Sequence, residues 1–160
     1  MTLNVPKTGM AVTIDIGNQN DIHPTNKQDV GKRLAANALK QIYGQNIPCN
    51  SPLFDSARFE NGKAIVSFKF TEGGLTVKDK FGYLKGFEIA DADKKFYYGK
   101  AEIAGDKVIV HSENVKNPVA VRYAWSDAPV DANLYNAAGF PASPFRSDDW
   151  RSVTAGNKFQ

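Results

Sequence analysis

QNIPCNSP, residues 45–52, carries two prolines within five residues and separates two stretches of different hydrophobic period. Proline removes a backbone donor and biases the residue before it away from the helical region, so a helix running into this segment must stop. Upstream the apolar residues recur every three to four positions. Downstream they recur every second position. The change of period predicts a helical element before the segment and an antiparallel β structure after it.

The helix is expected over Asn26 to Tyr43. Val30, Leu34, Ala38 and Ile42 fall four apart, with Ala35 and Leu39 beside them, and this stripe is expected to face the core. Lys27, Lys32, Arg33, Lys40 and Gln41 are expected on the wet side, and Gly44 stands where a left-handed cap would close the helix. Further upstream, MAVTIDI, residues 10–16, reads as a short buried strand of a parallel sheet. Between strand and helix, residues 17–25 form a loop rich in Gly, Asn, Asp and Pro. One strand cannot satisfy its own backbone groups, so strand, loop and helix imply further partners.

On the other side, KAIVSFKF places Ala64, Val66, Phe68 and Phe70 on one face, and Asn61-Gly62 signals a tight hairpin to the preceding ARFE. LKGFEIA is a further strand. KFYYGKAEIA and KVIVHS flank a second hairpin turn at Gly105-Asp106. VAVRYAW alternates, which predicts Val119, Val121, Tyr123 and Trp125 inward and Arg122 outward. About seven short strands with tight turns predict an antiparallel β-sandwich. The segment after residue 126 reads as irregular, pinned by Leu134, Tyr135, Phe140, Phe145 and Trp150 to the sandwich or to another domain.

Composition narrows the function classes. A net charge of +3 with dispersed Lys and Arg does not argue for nucleic acid, and no apolar run approaches a membrane span. The first ten residues have no signal-peptide pattern. The single cysteine, Cys49, excludes an internal disulfide. Two histidines and one cysteine far apart make a poor metal or redox set.

The chemistry-bearing residues cluster in the loop before the helix. His23 in this position is a candidate general base, able to take a hydroxyl proton and return it to a leaving alcohol; the alternative is a histidine that caps the helix. Asp21 reads either as the acid that orients it or as an Asx-turn or capping residue. Asp15, at the strand end, is a third candidate acid. Asn18 and Asn20 read as turn formers, and His111 as a strand-end neighbour of a turn. Tyr123 and Trp125 read as sandwich core ahead of a sugar-stacking platform, and Arg122 as a solvated strand residue ahead of a carboxylate partner.

Three stretches carry a resemblance: TGMAVTIDIGNQNDIHPTNKQDVGKRLA, LKGFEIADADKKF, and VKNPVAVRYAWSDAPVDANLYNAAGFPASPFRSDDW. In this order they resemble the C-terminal part of bacterial sialate O-acetylesterases of the SGNH hydrolase superfamily. The resemblance implies an α+β composite. Residues 1–46 would be the last strand, catalytic-histidine loop and last helix of a flavodoxin-like SGNH esterase core. Residues 50–150 would form the β-sandwich and residues 151–160 a tail. It implies a serine esterase acting on O-acetylated sugars, sialic acid in the named members, with His23 as the catalytic histidine and no cofactor or metal. The family's acid commonly stands three residues before the histidine, where this chain has Asn20, so Asp21 takes the role with altered loop geometry, another acid does, or the site is a dyad. The family's Gly-Asp-Ser block is absent, and every serine here follows His23. The chain is therefore expected to be a C-terminal fragment, with Met1 an internal methionine or a misassigned start. Its partners would be the missing N-terminal part of the esterase domain and the acetylated sugar, with no nucleic acid or membrane. Location would be periplasmic or secreted if the missing part carries a signal. The rival expectation is a non-catalytic carbohydrate-binding or interdomain β-sandwich module.

Overall fold

Asn61 and Gly62 both adopt left-handed backbone, with φ of 50° and 72°. Two such residues in succession match the twist of paired strands, which is why Asn-Gly closes the hairpin of β1 (Leu53–Glu60) and β2 (Lys63–Lys69). The computed structural model describes residues 2–152 and 154–156. Among them the remaining strands are β3 (Leu75–Val77), β4 (Phe87–Ala90), β5 (Phe96–Tyr98), β6 (Lys100–Ala104), β7 (Lys107–His111), β8 (Ala120–Tyr123), β9 (Leu134–Asn136) and β10 (Phe145–Arg146). Gly105, with φ 65°, opens the expected turn between β6 and β7.

Two antiparallel four-stranded sheets result, β1-β2-β7-β6 and β10-β8-β4-β5, with β3-β9 as a separate ribbon. Alternation puts Ala64, Val66, Val108 and Val110 of the first sheet and Phe87, Ile89, Val121 and Tyr123 of the second into one core. Each fully buried Val, Ile or Phe among them contributes roughly 1.5–3 kcal/mol. Phe145 closes the layers, with its ring stacked 4.5 Å from Phe54 and edge-on to Phe68. The chain passes from one sheet to the other at Gly99, between β5 and β6, where any Cβ would overlap Val110. KFYYGKAEIA is thus two strands in two sheets rather than one.

The segment after residue 126, expected to be irregular, supplies β9 and β10. Leu134 and Phe145 are buried in the sandwich core as expected, Tyr135 is buried with its hydroxyl on Asp15 of the N-terminal segment, and Phe140 and Trp150 are half-buried. Both strands are too short to show a period of their own and exist by pairing with β3 and β8. The tail at 151–160 falls partly outside the described residues.

Upstream, two expectations are corrected. Helix α1 spans Lys27–Gln41 as foreseen, but the face it buries is the one carrying Arg33 and Asn37. Leu34 and Ile42 of the apolar stripe are 52% and 56% exposed, and Ala35 and Ala38 are exposed with them. The inner face is held by hydrogen bonds: Asn37 Nδ2 donates to Cys49 O at 3.2 Å and to Arg33 O, and Arg33 donates to Val12 O. Residues 10–16, expected as a strand, form no ladder. A strand exists through its neighbours, and among the described residues none pairs with this one. Val12 is nonetheless buried, and at Gly9 the chain runs so close to Asn37 that a Cβ would overlap that side chain.

Candidate active site

The loop that carries His23 is anchored at both ends. At its start Asp15 is almost enclosed, and Arg33 grips both its oxygens at 2.7 Å. The Tyr135 hydroxyl of β9 donates to Asp15 Oδ2 at 3.0 Å. Burial pushes the Asp15 carboxyl up, but the hydrogen bonds and charge of Arg33, with the Tyr135 hydroxyl, outweigh it and leave the group below its ordinary value. Burial and the Asp15 charge push the Tyr135 hydroxyl up, so it stays a donor. The same carboxylate holds the Arg33 guanidinium charged. Asp15 is therefore committed to Arg33 and Tyr135, and this disposes of it as the acid beside His23.

At the loop's end Asn26 caps α1. Its Oδ1 accepts from Asp29 N at 3.1 Å, which satisfies one free N–H of the first turn, and its Nδ2 donates to Asp29 Oδ2 at 2.9 Å, which fixes the two side chains against each other. The capping role considered for His23 thus belongs to Asn26.

Between the anchors the chain turns twice. Asn18 Oδ1 accepts from Asn20 N at 2.9 Å, the turn-forming role expected of both residues. Asp21 Oδ1 then accepts from His23 N at 2.8 Å and lies 3.2 Å from His23 Nδ1. One oxygen serves both the turn and the ring: the Asx turn considered for Asp21 is formed, and the same carboxylate lies within reach of the imidazole. With the proton on Nδ1 directed at Asp21, Nε2 is left as an acceptor, the form a general base needs. The imidazole is 81% exposed and the Asp21 side chain 52%. Among the described residues no serine hydroxyl hydrogen-bonds the ring.

The other candidates lie elsewhere. His111 ends β7 opposite Lys63 and Lys100. Cys49 is buried, which pushes its thiol up and away from reactive thiolate. Tyr123 is core, with burial pushing its hydroxyl up to about 12, and that hydroxyl accepts from Leu134 N. Arg122 is not a free surface residue. It forms a two-pronged ion pair with Asp148 at 2.8 Å and lies over the Phe96 ring. Trp125, expected inward, is 45% exposed, and Val119 also faces out. Ala124 explains the Trp125 change: at φ 51° it reverses the alternation set by Val121 and Tyr123. Sequence spacing missed the Arg33–Asp15–Tyr135 clamp, because its members come from a helix, a loop and a distant strand.

No family model matches this chain, and no curated protein matches it. Among solved structures it is similar to a carbohydrate acetylesterase from Xanthomonas citri, with 51% sequence identity and a TM-score of 0.88 over 92% of this chain. The chain spans 34% of the length of that structure. At this identity the likeness extends to sequence as well as fold, and the chain is similar to one part of a carbohydrate esterase.

Proposed function

We propose that the chain is the histidine-bearing portion of a carbohydrate O-acetylesterase, with His23 as general base and Asp21 as its orienting acid. The observation that carries the reading is the Asp21–His23 contact of 3.2 Å on an exposed loop, which makes Nε2 the acceptor when Nδ1 carries the proton. In the reaction, Nε2 takes the proton of a serine hydroxyl as that oxygen attacks the acetyl carbonyl. The imidazolium then protonates the departing sugar oxygen, leaving an acetyl-serine. A water, deprotonated by the same Nε2, releases acetate and restores the serine. Asp21 steadies the imidazolium at each stage.

The serine and the oxyanion donors belong, in this reading, to the remaining two-thirds of such an enzyme. The exposed stripe of Leu34, Ala38 and Ile42 supports this, since a helix with one polar-bonded face and one bare apolar face is suited to lie between two bodies. The resemblance of residues 8–35 and 115–150 to sialate O-acetylesterases gives the finer reading: an SGNH-type site acting on O-acetyl groups of sialic acid or a related sugar.

The test is a chimera in which this chain replaces the corresponding third of the Xanthomonas citri acetylesterase. The chimera should release acetate from O-acetylated sugars, and the isolated chain should hydrolyse p-nitrophenyl acetate only at background. Robust turnover by the isolated chain would contradict an external serine, and a folded but inactive chimera would contradict the proposed role.

A further inference from the structure

Both tryptophans of the chain line one cavity of about 970 Å³, which opens between the second sheet and the C-terminal segment. Neither His23 nor Asp21 lines it. Phe96 meets Trp150 edge-on at 5.7 Å and forms part of the wall. A smaller lobe of about 130 Å³ adjoins the cavity, sharing Ala124, Trp125, Ser126 and Pro129 and adding the exposed ring of Tyr98. Trp125 is therefore a wall shared by two adjoining lobes of one groove, with Phe96 and Trp150 in the larger and Tyr98 in the smaller. Such flat, rigid faces interleaved with hydroxyls such as Ser126 and Ser152 suit pyranose rings, which are apolar on their faces and polar at their edges.

A second observation is the backbone of the wall that the two lobes share. The exposure of Trp125 depends on Ala124, a non-glycine residue at φ 51° whose N–H donates to Gly86 O at 2.8 Å. Left-handed backbone costs such a residue roughly 1–2 kcal/mol; the Gly86 bond and the burial of Ala124 hold the torsion, and it turns the Trp125 ring to the surface.

Charge is distributed unevenly along the groove. Lys94, Arg122, Arg146 and Arg151 line the large lobe, against Asp127. Asp148 neutralises Arg122, and Arg146 lies 4.0 Å from Asp148 with its guanidinium over Trp125. A cationic surplus remains beside the tryptophans. The small lobe instead carries Glu88 and Asp131, which repel an anion.

We propose that this groove binds an oligosaccharide with a single carboxylated sugar. A pyranose ring packs on Trp125, the carboxylate meets Arg146 in the large lobe, and neutral sugars run into the small lobe toward Tyr98. The groove is a binding site apart from the Asp21–His23 pair and stands whether or not the esterase reading does, because binding is measured without turnover.

The test titrates the full chain with glucuronosyl-xylotriose and with neutral xylotriose, by calorimetry and by tryptophan emission. Since the chain's two tryptophans both line the groove, a change in emission locates the ligand there. The acidic sugar should bind about tenfold tighter, as one charge-assisted contact implies. Arg146→Gln should remove that preference and leave xylotriose binding intact. Trp125→Ala should weaken both by about tenfold or more with its thermal unfolding unchanged, since the ring is half exposed. Absence of binding by either sugar overturns the proposal. Equal affinities for the two, or an acidic preference that survives Arg146→Gln, overturns the carboxylate assignment. Undiminished binding by Trp125→Ala overturns the platform.

Discussion

The Tyr135 hydroxyl donates to Asp15 Oδ2 at 3.0 Å, joining residues 120 positions apart. Through it the β3-β9 ribbon reaches the segment that leads into the histidine loop. The bond is short of solvent and its acceptor is charged, so removing it should cost about 2 kcal/mol. Tyr135→Phe keeps the ring and the overlying Lys78, whose Nζ lies 3.7 Å from the ring centroid. Urea unfolding of Tyr135→Phe, alone and combined with Asp15→Asn, measures the coupling. Strictly additive losses would show that the hydroxyl and the carboxylate do not act together.

Arg33→Met should be more damaging, by about 3 kcal/mol, because it leaves the Asp15 carboxylate enclosed without its counter-charge. Asp15→Asn in the same background should recover part of the loss, as the stranded charge is then gone. Denaturation midpoints of the single and the double variant against the parent chain decide this.

Asp15 also sets a pH dependence. Its carboxyl lies below the ordinary 3.8 in the folded chain, so the unfolded chain binds more protons in the window between the two values. The contribution is complete above about pH 4 and is lost as pH falls through the folded value. Asp148, held down by Arg122, acts in the same direction. Stability followed from pH 6 to pH 2 should therefore fall on the acid side, with a shallower fall in Asp15→Asn.

Much of the architecture was legible because its determinants are local. Asn61-Gly62 and Gly105 close hairpins through backbone torsions that few other residues adopt. The spacing of Asp21 and His23 was also readable, since two residues is the span of an Asx turn. What could not be read was non-local. Apolar spacing draws a stripe through Leu34 and Ile42, yet the face α1 buries is secured by the hydrogen bonds of Arg33 and Asn37, invisible to a hydrophobic count. MAVTIDI has the composition of a strand but no neighbour among the described residues to pair with. Trp125 obeys the alternation of β8 in sequence and breaks it in structure, because one torsion at Ala124 intervenes. The groove around it draws on Ile14, Phe96, Trp125 and Trp150, which no spacing links.

The corrected orientation of α1 has its own consequence. Leu34→Gln in the isolated chain should change stability by no more than about 0.5 kcal/mol, as for any exposed position. Asn37→Ala should cost about 1–3 kcal/mol, since it strips the partners of Cys49 O and Gln41 Nε2. In the chimera with the Xanthomonas citri enzyme, Leu34→Gln should become destabilising as the stripe acquires a cover. Thermal unfolding of both proteins reads the difference, and an equal effect in both would mean that the stripe stays bare.

The role of His23 is tested most directly by His23→Ala in that chimera, with kcat/KM measured on an O-acetylated sugar. A loss of about 10²- to 10⁴-fold with the fold intact is expected, the range for removal of a positioned base. Activity retained within a few-fold of the parent chimera would contradict that role.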